Sequence, residues 1–387
     1  MTTRRVAVIG SGHLARRIET LATSRGYAVV HLSHRTFRLD DPSESTFGAI
    51  GHVLHGMDFS DFGAVFVVDD RDERNLEVLV ALLSMERSFS IIASLFNEHV
   101  APHLRAAHPN IRVLNPARIA APVFIEALDV PLSRRLSYEP TRLAEEAGGT
   151  GRDDLMRTLV IGFVVLLAGA TTYFHLAERL SWLDALYFVV VSATTVGYGD
   201  ISMLHAAPLS KVIAILLLLS STIFIWMIFS LTIDRLIKQR VQLALGRKRY
   251  AHEGHVVVCG LGRLGQFVAQ GLLERGERLV IVEKREDAVA VHHLRSLGAE
   301  VYIGDGRLPR VLSDVGVRRA KALYSLVDDD YANLEIGLNA RTFEPDLRLI
   351  LRMFDEAMSH RIKEHLDIQL TLSMTAIADE KFVDLLE

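Results

Sequence analysis

Residues 182–200 read Trp-Leu-Asp-Ala-Leu-Tyr-Phe-Val-Val-Val-Ser-Ala-Thr-Thr-Val-Gly-Tyr-Gly-Asp, and this stretch decides how the middle of the chain folds. Its apolar part predicts a short helix at residues 183–194, which is too short to cross a bilayer. Uncharged runs flank it at residues 158–174 and 212–233. The second run is long enough to span the hydrocarbon core, and the first needs help from its flanking residues. Buried core helices are the alternative. We predict two membrane-spanning helices, at about residues 155–176 and 209–237.

The composition narrows the class of protein. The 387 residues are 50% hydrophobic with a mean hydropathy of +0.24, which is high for a water-soluble protein. The single cysteine, Cys259, excludes an intramolecular disulfide and a cysteine-rich zinc site. A net charge of −4 argues against a strongly basic nucleic-acid-binding protein, so we expect no nucleic-acid partner.

Basic residues lie just outside both apolar runs, on the sides that lead to the chain ends. Arg152 and Arg157 precede the first run, and Arg235, Lys238 and Arg240 follow the second. Cytoplasmic flanks of membrane helices carry this excess of lysine and arginine. We therefore expect a multi-pass protein in a lipid bilayer, the cell (inner or plasma) membrane, with both termini in the cytoplasm. An even number of spans agrees with that orientation.

Strand-like and helix-like stretches alternate on both sides of the membrane segment. Val6–Ile9 and Tyr27–Val30 are strand-like in the first region, as are His255–Cys259 and Arg278–Val282 in the second. Such alternation is typical of a parallel sheet covered by helices. Both flanking regions are therefore predicted to be α/β domains.

The two α/β regions are copies of one another. Asn75-Leu-Glu-Val aligns with Asn333-Leu-Glu-Ile, and Leu95-Phe-Asn-Glu aligns with Met353-Phe-Asp-Glu. Similarity at a constant spacing predicts an internal duplication, with one structural unit on each side of a membrane insert. Three glycines of each copy also align: Gly10, Gly12 and Gly26 with Gly260, Gly262 and Gly276.

The glycine-rich end of the segment between the two spans has the pattern of an ion site. A dehydrated K⁺ needs oxygen atoms in place of its water, and backbone carbonyls from four such strands supply them in stacked rings. Gly197 and Gly199 permit the backbone angles that point these carbonyls to one axis, and the Thr195 hydroxyl adds one more ring. A glycine-rich turn without ion function is the alternative. The candidate K⁺ ligands are Thr195, Val196, Gly197, Tyr198 and Gly199.

This stretch resembles the selectivity filter of potassium channels, with Thr-Val-Gly-Tyr-Gly-Asp unchanged at residues 195–200. The resemblance implies a K⁺-selective pore and a homotetramer, since one chain carries one filter strand. One departure is the second span, which has Ser220-Ser-Thr where many two-span channels have a glycine hinge. No glycine occurs from Ser202 to Leu245. Serine and threonine can also bend a helix, so the hinge and the position of the closed gate stay open.

The second α/β region begins with a dinucleotide-binding fingerprint. Its three glycines directly follow a strand and open a helix, and Glu283 ends the next strand at the usual spacing of about 20 residues. The glycines allow a tight turn and close approach of a pyrophosphate, and the carboxylate can accept both ribose hydroxyls. An empty Rossmann crevice is the alternative. The candidate nucleotide-binding residues are Gly260, Gly262, Arg263, Leu264, Gly265, Glu283 and Asp305.

From Val256 onward the chain resembles the N-terminal lobe of RCK domains, the regulators of K⁺ conductance. The resemblance implies a six-stranded parallel sheet, pairing of lobes between subunits in a cytoplasmic ring, and binding of NAD(H) or an adenine nucleotide. Some relatives bind Ca²⁺, for which this sequence offers no specific site. We expect the smaller C-terminal lobe of many relatives to be lacking, because the chain ends soon after Phe382. The resemblance rests on the glycine turn, Glu283, Gly304-Asp305, Asp328-Asp-Asp330, Asn333 and Phe343-Glu-Pro345.

The first copy carries a weaker version of the same signature. Ser33 stands where the second copy has Glu283, so ribose recognition of the NAD type is not expected there. His34 and Arg35 could favour a phosphate, but a degenerate structural copy is the preferred interpretation. The candidate residues of this weaker site are Gly10, Gly12, His13 and Ala15.

The predicted fold is an α-helical two-span membrane pore domain (first span, pore helix, filter, second span) flanked by two α/β Rossmann-like RCK N-lobes. The function that these features favour is a ligand-gated, K⁺-selective channel that is not an enzyme. One alternative is a membrane-anchored NAD-dependent oxidoreductase, which leaves the filter unexplained. Another is a regulatory subunit of a K⁺ transporter. The expected bounds are 1–128 for the first α/β domain, 129–153 for a linker, 154–238 for the pore domain, with its filter at 195–200, 239–254 for a second linker and 255–387 for the second α/β domain.

Overall fold

The computed structural model describes residues 5–33, 54, 56–59, 61–85, 89–131, 150–354, 356–366, 368 and 370–386. The chain divides into two compact units. The paired-sheet unit comprises residues 1–142 and 245–387, and the membrane unit comprises residues 143–244.

Five parallel strands form the sheet of the first copy, in the order β2-β1-β3-β4-β5. Their inward-facing residues are mostly valine, isoleucine and phenylalanine, and both faces of the central strands are buried, as expected when helices cover a parallel sheet. The strands are β1 (Arg5–Ile9), β2 (Ala28–Leu32), β3 (Phe62–Val67), β4 (Ser90–Ser94) and β5 (Ile111–Leu114). The described helices of this copy are His13–Ser24, Asp72–Leu83, Ala101–Ala107 and Pro116–Glu126.

The second copy has the six-stranded parallel sheet that the RCK resemblance implied, in the order β11-β10-β9-β6-β7-β8. The strands are β6 (Val256–Cys259), β7 (Leu279–Glu283), β8 (Glu300–Ile303), β9 (Ala322–Ser325), β10 (Arg348–Arg352) and β11 (Leu370–Leu372). The helices are Arg263–Glu274, Val289–Ser296, Pro309–Asp314, Asp330–Phe343, Glu356–His365 and Met374–Val383, with short 3-10 turns at Val317–Arg319 and Asp384–Leu386.

The two sheets share one topology, which supports the predicted duplication. Strands β2, β1, β3, β4 and β5 occupy the places of β7, β6, β9, β10 and β11. The described part of the first sheet has no counterpart of β8, and residues 34–53 lie outside the described residues.

The same buried asparagine joins two neighbouring strand ends in each sheet. Asn75 Nδ2 donates to the carbonyl oxygens of Asp69 and Ser94 at 2.8 Å each, and Asn75 Oδ1 accepts from the Asp69 N–H at 2.7 Å. Asn333 makes the equivalent bonds in the second sheet. Because both side chains are fully buried, each bond satisfies a backbone group that water does not reach.

The two copies pack on each other within one chain, along a contact that we call the seam. Helix His13–Ser24 packs on Met374–Val383, and the equivalent helix of the second copy, Arg263–Glu274, packs on Pro116–Glu126. Helices Pro116–Glu126 and Met374–Val383 also pack on each other, so the seam has an approximate two-fold symmetry. The family resemblance implied pairing between subunits, whereas this packing joins the two duplicated sheets of one chain.

The membrane unit contains the helices Thr150–Ala177, Trp182–Ala193 and Pro208–Ala244. Two segments, Leu155–Ala177 and Pro208–Gln242, are long and apolar enough to cross a membrane, with mean hydropathies of 1.9 and 2.7. In the most apolar 18 residues of each segment, only 17% and 11% respectively are buried inside the chain. A core helix of a soluble protein is mostly buried.

Both long helices extend beyond the predicted spans. The first begins at Thr150, inside the predicted linker of residues 129–153, and the second runs to Ala244, inside the predicted linker of residues 239–254. The second extension follows from its sequence: residues 238–244 read Lys-Gln-Arg-Val-Gln-Leu-Ala, mostly strong helix formers, and the next glycine is Gly246.

Candidate functional site

In the filter-like segment, residues 195–199, the backbone φ angle alternates in sign from one residue to the next. Thr195, Gly197 and Gly199 have positive φ angles of 61°, 56° and 80°. A β-branched residue such as Thr195 rarely adopts a positive φ, so its backbone is strained. Alternation of this kind lets successive carbonyls share one side of the strand. The glycines occur where an L-residue with a Cβ would add further strain.

The short helix Trp182–Ala193 positions the segment. The Ser181 hydroxyl caps its start by accepting from the Asp184 N–H at 3.1 Å. At its end, the N–H of Val196 donates to the Val191 carbonyl at 3.1 Å. Beyond the segment, the Tyr187 hydroxyl donates to Asp200 Oδ2 at 2.7 Å. The segment is therefore tied to this helix at both of its ends.

A small apolar core holds the short helix against the two long ones. Phe174 and Val189 are fully buried, and the rings of Phe174 and Phe188 meet edge to face at 5.0 Å. Leu217 of the second long helix lies in the same cluster. The candidate K⁺ ligands remain outside this core: Val196 is 53% exposed and Tyr198 is 72% exposed.

The second glycine turn is held by the acid that the sequence singled out. Glu283, at the end of β7, is buried and accepts from the Leu261 N–H at 2.7 Å and from the Arg285 N–H at 2.9 Å. Each carboxylate oxygen can accept one further hydrogen bond, so a ribose hydroxyl can still bind. A Cβ on Gly265 would collide with the Gly260 carbonyl, so the helix packs directly on the turn.

A cavity of about 400 Å³ opens beside this turn, between the ends of β6, β7, β8 and β9. Such an opening at the carboxyl edge of a doubly wound sheet is the usual place for a nucleotide. Of the predicted residues it includes Gly260, Glu283 and Asp305. It is lined by Cys259, Gly260, Val282, Glu283, Lys284, Gly304, Asp305, Gly306, Arg307, Val327, Asp329, Tyr331, Ala332 and Ile336. The other predicted residues, Gly262, Arg263, Leu264 and Gly265, belong to the turn and the first helical residues after it.

Among the acids that line this cavity, Asp305 has the most strongly shifted pKa. Its carboxylate accepts from Arg307 Nη2 at 2.7 Å and lies 3.5 Å from Lys284 Nζ. The hydrogen bond from Arg307 lowers the pKa of Asp305 to about 2, so it stays ionised at every physiological pH. Cys259, which also lines the cavity, is buried, and burial raises the pKa of its thiol to about 12.

Lys284, Arg307 and Tyr331 also line the cavity but were not among the predicted residues. Lys284 directly follows Glu283 and Arg307 lies two residues after Asp305, so both could have been found from these positions. Tyr331 follows the acidic cluster, and nothing in the sequence around it indicated that it lines a cavity. In the structure its side chain is 72% exposed.

The glycine turn of the first copy is held by a different acid. Asp69 Oδ2, after β3, accepts from the Ser11 N–H at 3.0 Å and from the Ser11 hydroxyl at 2.7 Å. The Asp70 carboxylate lies so close to Gly12 that a Cβ there would overlap it. Burial raises the pKa of Asp70. Two acids therefore stand where an anionic ligand would approach this turn.

The remaining predicted residues of the first copy serve packing. Ala15 is fully buried, and the ring of His13 stacks on Phe354 of the second copy with centroids 5.1 Å apart. The structure therefore places Gly10, Gly12, His13 and Ala15 at the turn and at the seam. His34 and Arg35 lie outside the described residues.

Each residue of the acidic cluster Asp328-Asp-Asp330 makes a contact within the second copy. Asp328 pairs with Arg352, Asp329 caps the next helix through the Ala332 N–H, and Asp330 accepts from the Phe354 N–H at 2.9 Å. Within the described ranges of the chain, no three histidine, cysteine, aspartate or glutamate side chains gather closely enough to hold a metal.

Comparison with known proteins gives two family matches. Residues 161–238 match the ion channel family, and residues 256–373 match the TrkA-N domain family. The probable potassium channel protein 2 of Methanocaldococcus jannaschii is 24% identical over 216 residues, which cover 54% of this chain and 62% of that protein. The glutathione-regulated potassium-efflux system protein KefC of Cronobacter sakazakii is 33% identical over 100 residues, or 26% of this chain and 16% of KefC.

A structure of GsuK bound to ADP is similar in fold. It matches 100% of this chain and 70% of the GsuK chain with a TM-score of 0.55, at 14% identity. The chain spans less than two thirds of the length of the Methanocaldococcus protein and of KefC. The ion channel match covers most of the two long apolar helices and the segment between them, and the TrkA-N match covers the second sheet.

Proposed function

We propose that this protein is a K⁺-selective, two-span membrane channel whose opening is controlled by a nucleotide bound in the second sheet. The observation that carries the proposal is the alternating backbone of Thr195, Gly197 and Gly199, located between two membrane-length helices. Four copies place the carbonyls of Thr195 to Gly199 around one axis, where they replace the water of K⁺. The largely exposed Val196 and Tyr198 side chains then pack against neighbouring subunits.

In this proposal both paired sheets are cytoplasmic RCK-type lobes, one on each side of the pore in the sequence. Four chains bring eight lobes into a ring, and both chain termini lie in the cytoplasm. The nucleotide, NAD(H) or an adenine nucleotide, is a regulator rather than a substrate. It binds with Glu283 on the ribose, the turn from Gly260 to Gly265 on the phosphate and Asp305 beside the base.

The link between nucleotide and pore is the chain that follows the second long helix. The Ile303 N–H donates to the Leu245 carbonyl at 2.8 Å, and Arg247 Nε donates to the Ile303 carbonyl at 2.7 Å. Ile303 ends β8, and the next residue, Gly304, bonds to the Glu283 carbonyl at 2.8 Å and lines the cavity. A nucleotide that rearranges the Gly304-Asp305 loop therefore acts on the strand that anchors Leu245 and Arg247.

The pore is tested by Rb⁺ and Na⁺ uptake into liposomes that contain the purified chain. We expect Rb⁺ uptake with little Na⁺ uptake, and loss of the Rb⁺ signal in Gly197→Ala, whose Cβ strains a φ of 56° in each subunit. The matched control is Gly169→Ala, in the first long helix with open space around it. Equal Na⁺ and Rb⁺ uptake, or unchanged uptake in Gly197→Ala, would contradict the pore.

The link is tested with two glycines of nearly equal φ. Gly246 has a φ of 66° and Gly254 a φ of 65°, so replacing either with alanine strains the backbone equally. Only the Cβ at position 246 would also collide with the Val301 carbonyl of β8. We expect Gly246→Ala to keep Rb⁺ uptake while losing its response to added nucleotide, and Gly254→Ala to keep both. Equal responses in the two variants would exclude β8 as the link. A ligand changes opening only if it binds the open and closed forms with different affinity.

A further inference from the structure

The seam covers one half of the second crevice. In a doubly wound sheet, a dinucleotide crosses the point where the strand order reverses and places one nucleotide on each side. Here that point lies between β6 and β9. The cavity lies on the β7 and β8 side, with Glu283 and Asp305, and extends across this point to residues that follow β9, such as Val327 and Tyr331. The far part of the opposite side is formed by the end of β10.

Side chains from both copies fill that opposite side. Phe354, just after β10, carries the stacked His13 ring on one side, and the Arg352 guanidinium lies 4.3 Å from its ring centroid. Arg352 is only 4% exposed and pairs with Asp328. The Phe354 backbone is fixed by Asp330 at 2.9 Å. A second nucleotide would have to displace this stack.

The same cover exists in the other direction. Arg263, which aligns with His13, lies over Phe96 with its guanidinium 4.0 Å from the ring centroid, and it donates to the Asp70 carbonyl. Phe96 aligns with Phe354, and its N–H is held by Asp72 at 3.0 Å. The first helical residue after each glycine turn thus covers the aromatic residue of the other copy. The repetition ties the cover to the pairing of the copies rather than to one side-chain rotamer.

We propose that the second crevice takes a single ribonucleoside phosphate, such as ADP, and excludes the second nucleotide of NAD⁺ or NADH. This inference rests on the proposed function, because it specifies the ligand of the same regulatory site. His13 is the specificity-determining residue: it belongs to the first copy but occupies the space of the missing half-ligand in the second. Glu283 and Asp305 lie on the open side, where they can hold one ribose and one base.

Calorimetry on the full-length chain in nanodiscs, with AMP, ADP, NAD⁺ and NADH as separate probes, tests this. We expect ADP to bind at least about tenfold more tightly than NAD⁺ or NADH. His13→Ala should raise NAD⁺ affinity several-fold and leave ADP affinity unchanged, because it removes one face of the stack. The matched control is His103→Ala, an exposed histidine of helix Ala101–Ala107, which should change neither.

Each outcome bears on a separate claim. NAD⁺ or NADH binding as tightly as ADP to the unmodified chain overturns the inference without any variant, as does an unchanged ratio in a folded His13→Ala protein. If His13→Ala fails to fold, Phe354→Ala opens the same space from the second copy, and the ratio in the unmodified chain still decides. If none of the four probes binds while Rb⁺ uptake persists, nucleotide control itself fails and the pore stands.

Discussion

The two glycine turns use one backbone N–H in different ways. In each copy the residue after the first glycine donates its N–H to a carboxylate, Ser11 to Asp69 and Leu261 to Glu283. Asp69 follows β3, whereas Glu283 ends β7, so the acids approach from opposite sides of the turn. The duplicated turn is therefore held by a carboxylate in both copies. Only the second copy has an acid where a ribose would bind.

The largest expected effect separates the two crevices. Glu283→Ala should weaken ADP binding by more than about a hundredfold, since a lost pair of hydrogen bonds to a charged group costs about 3 kcal/mol. Ser33→Ala, at the equivalent place in the first copy, should change ADP affinity by less than about twofold. Calorimetry measures both, with melting temperature as the check that the second turn survives. Equal losses in the two variants would mean that the copies share the ligand.

The buried asparagines test whether the copies are equal as structures. Asn75→Ala and Asn333→Ala each leave buried backbone groups without partners, which should cost about 2 kcal/mol in either sheet. The control is Asn110→Ala, at an exposed loop position, with an expected change under about 0.5 kcal/mol. Thermal unfolding of the full chain reports all three. A negligible effect for Asn75 alone would show that the first sheet is not needed for stability.

The seam is asymmetric in charge, which gives a third comparison. Arg17 Nε donates to the buried Asp379 at 2.7 Å, whereas the equivalent positions on the other side of the seam are Phe267 and Ala121. Arg17→Ala should lower the free energy of unfolding by about 1–2 kcal/mol, because Arg17 is partly exposed but Asp379 is left buried without its cation.

This deficit should depend on pH. Burial already raises the pKa of Asp379, and losing Arg17 raises it further. The folded state then binds a proton more readily than the unfolded state, so the deficit shrinks as the pH falls through the raised pKa. Melting curves of Arg17→Ala at several pH values measure this. The double variant Arg17→Ala/Asp379→Asn is the control and should show little such dependence. A deficit that is constant with pH would assign the loss to packing instead.

The smallest effect is expected at the rim of the seam. Arg25 pairs with the exposed Asp384 at 3.0 Å, so Arg25→Ala should cost less than about 0.5 kcal/mol. Arg275, which aligns with Arg25, pairs with Asp129 and also donates to the Ile125 carbonyl at 3.1 Å, so Arg275→Ala should cost more than Arg25→Ala. Chemical denaturation measures the free energy of unfolding of both variants, and a larger loss in Arg25→Ala than in Arg275→Ala would contradict this prediction.

Local pattern was enough to predict much of this protein. The apolar runs, the short helix before Thr195 and the glycine turn with Glu283 are each contained in one short segment. Helix ends were less predictable: the second long helix runs on to Ala244 because its polar continuation consists of good helix formers, which a hydropathy limit does not register. The contacts of Asp69 with Ser11 and of His13 with Phe354 were not predicted, because each joins two residues that are far apart in the sequence.

The sequence by itself determined the two long apolar helices, the Thr-Val-Gly-Tyr-Gly-Asp segment between them, the duplication and the acid at the end of β7, because periodicity, glycine positions and residue chemistry are local properties. Only the tertiary structure decided that the two copies pack on each other within one chain, that Asp69 accepts from the first glycine turn, that His13 stacks on Phe354 and that Leu245 and Arg247 bond to Ile303 of β8. These contacts join residues remote in the chain, and their existence depends on how helices pack over sheets rather than on any short stretch of residues.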